Sequence, residues 1–359
     1  MAERYDQESG QFVCDFISRL PTTDTGKLFN LYDWQRSALM EFYGTQVSET
    51  GTEDLPAPIN AEWLRKYWYL YLEIPKKNGK SELAAALGLY HLFADGELNA
   101  EVYICAADKE NASIVYNAAV FMATSAPWTA KMVARGELKI TESRKRIEYR
   151  RRIKTGNGGY KWVTIGVMQV LSAEAYSKHG YKPSCVIFDE LHAQPSRELW
   201  DIMTGAAGAS RRQPVWIVLT TAGDDPDRGS IGWEIHDKAV AIRDARQLRR
   251  IQEEDGDARK VLSLRHAADE DLADAEQALL ERDEENWLPI LYGLTAFFGD
   301  DPDDLEKIDI WDESLWNAQR PHGGHGGQEK RGCRAAFPLA APESVDHDEV
   351  GRLDLTQSV

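Results

Sequence analysis

The pattern of apolar and polar positions divides the chain into short apolar runs and segments with helical periodicity. A near-continuous apolar run at residues 67–74 predicts a buried strand of a parallel sheet, because a strand covered on both faces needs no polar alternation. Apolar residues recur at helical spacing from Leu83 to His91. A second run at residues 102–106 precedes an alanine-rich helix predicted at 108–122. This alternation predicts an α/β fold with a mainly parallel sheet flanked by helices.

Three of the apolar runs end abruptly in polar residues. The first leads into a loop of lysine and glycine, the second into an acidic pair and the third into a threonine pair. Ligands of open α/β sheets bind at the carboxyl ends of the strands. The runs at 67–74, 185–188 and 215–219 therefore predict one functional edge.

The texture of the sequence predicts four segments. An aromatic N-terminal stretch is followed by a loop that contains glycine and proline. After the third run come an amphipathic helix from Ile231 to Ile242, a very acidic helix at 268–286 and an apolar stretch at 287–298. The end of the chain is rich in glycine and histidine and lacks periodicity. We therefore predict an N-terminal segment at 1–66, a core at 67–225, a helical subdomain at 226–318 and a disordered tail at 319–359.

A Gly-Lys-Ser triplet follows the first predicted strand. A phosphate-binding loop needs backbone N–H groups, a lysine for the outer phosphates and a hydroxyl for Mg²⁺, all at the start of a helix. Ile74 stands where the first glycine of a full Walker A pattern would be, and the triplet alone could also be a solvated helix start. The strand before it and the helix after it favour the loop. The predicted nucleotide-binding residues are Lys76, Lys77, Asn78, Gly79, Lys80 and Ser81, with ATP and Mg²⁺ as cofactors.

An acidic pair follows the apolar run at residues 185–188. Four apolar residues precede Asp189 and Glu190, which is the Walker B arrangement. The first carboxylate and the hydroxyl of Ser81 would hold Mg²⁺, and the second carboxylate would polarise the attacking water. The alternative is an acidic helix N-terminus, which explains the pair less well once a phosphate loop precedes it.

The charge of the chain excludes a protein that coats nucleic acid with its whole surface. The formal net charge is −17 over 359 residues, so any contact with DNA must be local. The densest basic run lies between strands predicted near 138–140 and 162–170. It is a candidate DNA-contacting hairpin or, equally, a solvated hairpin face. The candidate contacts are Arg144, Arg146, Arg150, Arg151 and Arg152.

Cysteine spacing and hydropathy indicate a protein of a reducing compartment. The four cysteines stand far apart without a CxxC pair, which predicts neither a zinc site nor a disulfide framework. No leader-like start and no apolar run of about 18 residues occurs, so we expect a soluble protein of the host cell cytoplasm without a membrane partner.

Three stretches together resemble the motifs of tailed-phage terminase large subunits. Residues 76–81, 186–192 and 220–223 are similar in order and spacing to their Walker A, Walker B and coupling motifs, and the resemblance runs from about residue 28 to 318. It implies a P-loop NTPase fold of the RecA/ASCE-like type, with a small C-terminal subdomain. It also implies that Lys80 and Glu190 are catalytic and that Gln35 reads the adenine edge. It assigns the coupling role to Thr220, Thr221 and Gly223.

The resemblance also implies partners and a setting. Members of this family form a homo-oligomeric ring that packages double-stranded DNA together with a small terminase subunit and a portal protein. A basic residue from a neighbouring subunit completes each site. Candidates in this chain are Arg211, Arg212, Lys178 and His179, and the sequence does not choose among them.

Two departures from the family pattern modify these expectations. Lysines stand at 76 and 77, where the family usually carries arginine, which keeps the charge without the bidentate geometry. Complete large subunits continue into a nuclease domain, whereas this sequence turns into a glycine-histidine stretch. We therefore expect no nuclease activity, and a truncated or frame-altered prophage gene as the origin of the chain.

Two other functions compete with the packaging motor. A helicase-like DNA translocase shares the Asp-Glu-x-His order and an upstream glutamine, but it needs a second motor lobe. A catalytically inactive prophage remnant would keep the fold without turnover. ATP turnover measured against Glu190→Gln separates an enzyme from a remnant.

Overall fold

The computed structural model describes residues 2–48, 62–172, 180–205, 211–221, 229–255, 281 and 286–291. The chain divides into two units, residues 1–320 and 321–359, and every described residue belongs to the first. The tail predicted at 319–359 lies outside the described residues, as do Gly223, Lys178 and His179. The same holds for the acidic helix predicted at 268–286, apart from residues 281 and 286.

Eleven strands and seven helices make up the described part of the chain. In chain order they are β1 (Ala2–Tyr5), α1 (Gln7–Ser18), α2 (Asp33–Gly44), β2 (Thr45–Ser48), β3 (Leu64–Arg65), β4 (Tyr69–Glu73), α3 (Lys80–Phe93), β5 (Ala100–Ala106), α4 (Lys109–Ser125), α5 (Pro127–Ala134), β6 (Leu138–Thr141), β7 (Arg146–Lys154), β8 (Tyr160–Ser172), β9 (Cys185–Asp189), α6 (Glu198–Gly205), β10 (Val215–Thr220), α7 (Ile231–Asp255) and β11 (Trp287–Leu291). Short 3-10 turns occur at Glu142–Arg144 and Leu191–Ala193.

An eight-stranded sheet forms the centre of the molecule, in the order β11-β4-β10-β9-β5-β8-β7-β6. The strands from β11 to β8 are parallel, and β7 and β6 add an antiparallel edge. Strands β9 and β10 are buried along their whole length, as expected for parallel strands covered on both faces. The predicted α/β fold with a mainly parallel sheet is therefore confirmed. In this order, β10 lies between β4 and β9.

Helices cover both faces of this sheet. Alternate residues of β4 point to opposite sides, so Leu70 and Leu72 join the core beneath α1 to α4, whereas Tyr71 joins the core beneath α6 and α7. Helix α7 buries Ile231, Ile235, Ala239 and Ile242 at the predicted helical spacing. None of the helices that the structure describes is long and apolar enough to span a bilayer.

The described residues of α7 and β11, within the predicted helical subdomain at 226–318, pack in this layered core. Strand β11 pairs in parallel with β4, and Trp287 stacks on Tyr69 with ring centroids 4.4 Å apart. Helix α7 packs against β11 and one face of the sheet. A five-residue apolar run is too short to reveal by periodicity whether it forms a strand, and its pairing is set by contacts distant in sequence.

The N-terminal segment folds into helices and a small sheet that the sequence pattern did not predict. Helix α1 begins at an N-cap, where the side chain of Asp6 accepts a hydrogen bond from the backbone of Glu8. Strands β1, β2 and β3 form an antiparallel sheet beside it. The backbone and hydroxyl of Thr23 both donate to Glu82 of α3, so this segment is tied to the helix that begins at the phosphate loop.

Candidate active site

Strand register brings the three predicted clusters to one edge of the sheet. Glu73 at the end of β4 is paired with Thr220 of β10, and Leu219 of β10 is paired with Asp189 of β9. The segments that follow these strands therefore leave the sheet side by side. Lys80, Glu190 and Thr221 come together there, although they are far apart in the sequence.

The loop between β4 and α3 has the tight turns that a phosphate loop requires. Gly79 has φ +72° and precedes the first residue of α3, which is left-handed backbone that glycine adopts without a Cβ penalty. Lys77 also lies in the left-handed region, with φ +69°. The amide of Asn78 donates to the carbonyls of Pro75 and Lys76, at 3.2 and 3.4 Å, which braces the turn from inside.

Lys80 lies on the floor of the site with only 7% of its side chain exposed. Its ammonium donates to the carbonyls of Ile74 and Pro75, at 3.1 and 3.3 Å, and lies 3.6 Å from Oε1 of Glu190. Burial lowers the pKa of Lys80, and the negative charges of Glu190 and Asp189 oppose that shift. The ammonium group of Lys80 therefore lies at the start of a helix, where the helix dipole already favours the binding of anions.

An open cleft of about 210 Å³ lies above this floor. Residues of the predicted phosphate loop line it together with Glu82 and Glu190. Ser81 lines the same cleft from the first turn of α3, together with Lys80 and Glu190. The cleft therefore carries the groups that a nucleoside triphosphate with its metal would need.

Glu190 is held in one orientation by backbone and side-chain contacts. Its backbone is left-handed, with φ +52°, and its N–H donates to the carbonyl of Leu219 at 2.8 Å. Its Oε2 accepts from the backbone N–H and the hydroxyl of Thr221, at 3.1 and 3.2 Å. Left-handed backbone at a residue with a side chain costs on the order of 1–3 kcal/mol and persists where surrounding contacts enforce it.

Asp189 fits a metal ligand by its unsatisfied oxygen. The residue is only 4% exposed, and its Oδ1 is buried without a hydrogen-bond partner. Burial raises the pKa of this carboxyl to about 7, the charge of Glu190 adds to the shift, and Lys80 opposes it. A divalent cation would satisfy the buried oxygen and favour the charged form of the acid.

Metal binding at this point would need few protein ligands. Within the described ranges, no group of three or more His, Cys, Asp or Glu residues is placed to hold a metal ion. Mg²⁺ commonly keeps several waters and binds through one or two protein oxygens plus substrate phosphates. Ser81 and Asp189 are residues of that kind, so they fit Mg²⁺ that arrives with a nucleotide.

A second cluster lies behind the phosphate loop, and the sequence patterns did not predict it. Glu73, the last residue of β4, is buried and accepts hydrogen bonds from the hydroxyl of Tyr71 and from Nδ1 of His236 on α7, both at 2.7 Å. The signal was an acidic residue inside an otherwise apolar run. Through this cluster α7 is attached to the strand that carries the loop.

Gln35 lies against the back of the phosphate loop. The residue is fully buried, and its amide nitrogen donates to the carbonyl of Asn78 at 3.4 Å. Its amide oxygen accepts from the backbone N–H of Tyr32 at 3.0 Å, which caps α2. In this arrangement both ends of the amide contact backbone, and its recognition of adenine stays a prediction.

Arg211 and Arg212, the two described candidates for a basic residue that acts on the site of a neighbouring subunit, differ in how firmly internal contacts hold them. Arg211 is 12% exposed, pairs with Glu97 at 2.8 Å and donates to three backbone carbonyls, which ties together loops at the opposite edge of the sheet. Arg212 is 62% exposed and pairs with Glu62. Of the two, Arg212 is the more available for a partner.

The basic run lies on a β7–β8 hairpin whose end extends past β6. Arg146 pairs with Glu148 at 3.3 Å, and Arg150 donates twice to the carbonyl of Gly136. Arg144 is exposed in the 3-10 turn before β7, and Arg151 and Arg152 are exposed along the strand. The structure therefore separates arginines with internal partners from arginines that face solvent.

Comparisons with known proteins agree with this geometry. Residues 63–236 match the family described as terminase large subunit, ATPase domain. No curated protein matches the chain.

Solved structures of phage terminases are similar to the chain. The HK97 bacteriophage large terminase shares 25% identity with a TM-score of 0.46, over 64% of this chain and 41% of that one. The Thermus phage P74-26 large terminase ATPase domain shares 21% identity with a TM-score of 0.36, over 44% of this chain and 62% of that one. The chain thus spans less than two thirds of either protein. Over residues 63–236, the chain therefore resembles the terminase large-subunit ATPase domain family.

Proposed function

We propose that this chain is the ATP-hydrolysing motor domain of a DNA-packaging terminase large subunit, which drives double-stranded DNA into a procapsid. The observation that carries the proposal is the Glu190 carboxylate, fixed by Thr221 and directed at Lys80 across the cleft. Chemistry on a triphosphate consists largely of positioning and charge stabilisation, and these groups supply both.

Each residue of the cleft has a distinct role in the proposed reaction. Lys80 and the N–H groups at the start of α3 bind the outer phosphates. Ser81 and Asp189 would hold Mg²⁺, which would supply positive charge against the phosphoryl group. Glu190 orients the attacking water and accepts its proton. General-base catalysis of this kind typically contributes about 10²–10⁴-fold to the rate. Thr220 and Thr221 connect this carboxylate to β10, the strand between β4 and β9.

The proposed DNA contact is the β7–β8 hairpin. Between Tyr149 and Ser172 the chain contains no Asp or Glu, although its net charge is −17. Arg151 and Arg152 are exposed on this hairpin, where they could neutralise phosphates of a duplex. The small terminase subunit, a portal protein and a homo-oligomeric ring complete the proposed assembly, with Mg²⁺ and ATP as cofactors.

Steady-state ATP turnover of the purified chain tests the proposal. We expect Mg²⁺-dependent hydrolysis that double-stranded DNA stimulates and that Lys80→Ala abolishes, because the substitution removes the ammonium from the cleft. Lys139→Ala is the matched control, since that lysine is 52% exposed and pairs with Glu148 at the surface. Equal turnover by wild type and Lys80→Ala, or no turnover by wild type with DNA, would contradict the proposal.

A further inference from the structure

His192 lies between the acidic pair and the coupling threonines. It belongs to the 3-10 turn Leu191–Ala193, directly after Glu190. Its Nδ1 lies 3.0 Å from the hydroxyl oxygen of Thr220 and 3.3 Å from Oε2 of Glu190. One ring nitrogen therefore faces a group of β10 and the carboxylate that follows β9.

The partners of His192 determine which ring nitrogen carries a proton. The hydroxyl of Thr220 donates its single hydrogen to the carbonyl of Thr221 at 3.1 Å, so its oxygen can only accept from the ring. The carboxylate of Glu190 also accepts. The hydrogen bond with Thr220 is satisfied only if Nδ1 carries hydrogen, and Oε2 of Glu190 lies 3.3 Å from the same nitrogen.

Helix α7 holds the backbone of His192 in place. Gly232, the second residue of α7, approaches so closely that a Cβ there would lie 2.5 Å from Cα and 3.0 Å from N of His192. Rotation of a side chain could not relieve such a clash, because the atoms that the Cβ would meet belong to the backbone of His192. The position of the imidazole therefore depends on α7.

We propose that His192 is a positioning residue for the hydrolysis proposed above: its Nδ1–H joins Glu190 to Thr220, and α7 sets that junction through Gly232. The inference rests on the proposed function, because it assigns to His192 the orientation of the carboxylate that activates water. Loss of the N–H removes one of the contacts that orient the carboxylate, while the bonds from Thr221 and the phosphate-binding groups stay in place, so we expect kcat to fall and KM for ATP to stay unchanged.

Two amide substitutions distinguish this role from mere packing. The amide nitrogen of Asn lies near the position of Nδ1, whereas that of Gln reaches the position of Nε2. We expect His192→Asn to keep kcat within a few-fold of wild type, and His192→Gln and His192→Ala to lower it about tenfold or more with KM unchanged. Equal kcat for all three variants and wild type, equal loss in Asn and Gln, or a rise in KM instead, would overturn the inference.

A spectroscopic measurement tests the same contact without turnover. At about pH 8, the ¹⁵N spectrum of the histidine rings should show His192 with its proton on Nδ1, assigned by the signal missing from His192→Asn. A proton on Nε2 would overturn the bridge. If wild type hydrolyses ATP and the His192 variants do so equally well, only the role of His192 is contradicted. If wild type shows no turnover, the proposed function is contradicted, together with the kinetic role of His192.

Discussion

At the scale of single residues, Asp189 shows a conflict between the requirements of function and those of stability. Asp189 buries a carboxylate whose Oδ1 has no partner, and burial raises its pKa to about 7. A protein selected for stability alone would satisfy this oxygen, because an unpaired buried charge is costly. A bound cation makes the same oxygen useful, so the residue fits a ligand site better than a structural role.

We expect Asp189→Asn to stabilise the metal-free protein by about 1 kcal/mol, because a neutral amide replaces a poorly solvated acid. The same variant should bind ATP in a way that no longer depends on Mg²⁺. Thermal unfolding with and without Mg²⁺-ATP measures both effects. Asp201→Asn, an exposed carboxylate that pairs with Arg197, is the control and should change neither. Lower stability together with unchanged Mg²⁺ dependence would contradict the role of Asp189.

At the scale of single residues, the sequence predicted which residues form the site better than it predicted their geometry. Asp189, Glu190 and Lys80 were predicted from strands that end in polar residues, and the structure brings them together. The left-handed backbone of Glu190 and the hydrogen bonds of His192 could not be predicted. The position of His192 depends on the packing of α7, which lies far along the chain.

At the scale of elements, helix α7 contacts the candidate site at two points. Helix α7 touches the turn after β9 at Gly232 and the end of β4 at His236, so it contacts the acidic turn and the loop-bearing strand. A helix fixed at two points of the site can move only if those points move.

Two glycine substitutions test the first of these contacts. Gly232→Ala should lower the unfolding free energy by about 1–3 kcal/mol and reduce kcat, because its Cβ meets backbone of His192. Gly88→Ala on α3 is the matched control, since its Cβ would meet the flexible end of Met168. The control should be nearly neutral in chemical denaturation and in turnover. Equal effects of the two substitutions would show that α7 does not set the position of His192.

The second contact should make the attachment of α7 dependent on pH. Burial alone would lower the pKa of His236, but its hydrogen bond to Glu73 and the charge of that residue outweigh burial and raise it above 6.5. Asp237 adds to the rise and Arg243 opposes it. Since the folded protein holds this proton more tightly, the stabilisation is complete below about pH 6.5 and is lost as pH rises through the folded pKa.

The comparison of wild type with His236→Gln measures this contribution. We expect the difference in unfolding free energy between the two proteins to shrink as pH rises, with the larger stability in wild type at low pH. The other titrating groups are common to both proteins and cancel. A difference that is constant with pH would mean that the contact with Glu73 carries no charge.

Secondary structure was predicted where apolar runs are long or periodic, and missed where local signals are weak. Strands β4, β9 and β10 and helix α7 follow from such patterns. Helix α1 carries an N-cap at Asp6 and buries Val13, Phe16 and Ile17, so capping and spacing together would have revealed it. The place of β11 in the sheet could not be predicted, because pairing depends on tertiary contacts.

At the scale of the whole molecule, the charge distribution favours the β7–β8 hairpin as the proposed DNA contact. The sequence predicted a local contact and a hairpin, but it could not show that Arg146 and Arg150 have internal partners. That distinction comes from the side-chain geometry at the sheet edge.

We expect Arg151→Gln with Arg152→Gln to weaken binding of double-stranded DNA uniformly across sequences. The slope of log affinity against log salt should fall by about 0.9 for each lost phosphate contact. Arg146→Gln is the control, because its guanidinium already pairs with Glu148. Binding isotherms at several salt concentrations measure the slope. An unchanged slope in the double variant would exclude these residues from the DNA contact.

The central claim is that groups distant in the sequence form one site for ATP hydrolysis, and Glu190→Gln tests it most directly. The substitution keeps the size of the side chain and removes its ability to accept a proton. With ATP binding and turnover measured on the same preparation, we predict that kcat falls by at least about 100-fold while affinity for Mg²⁺-ATP stays within a few-fold of wild type. Unchanged turnover, or turnover and binding lost together, would contradict the account.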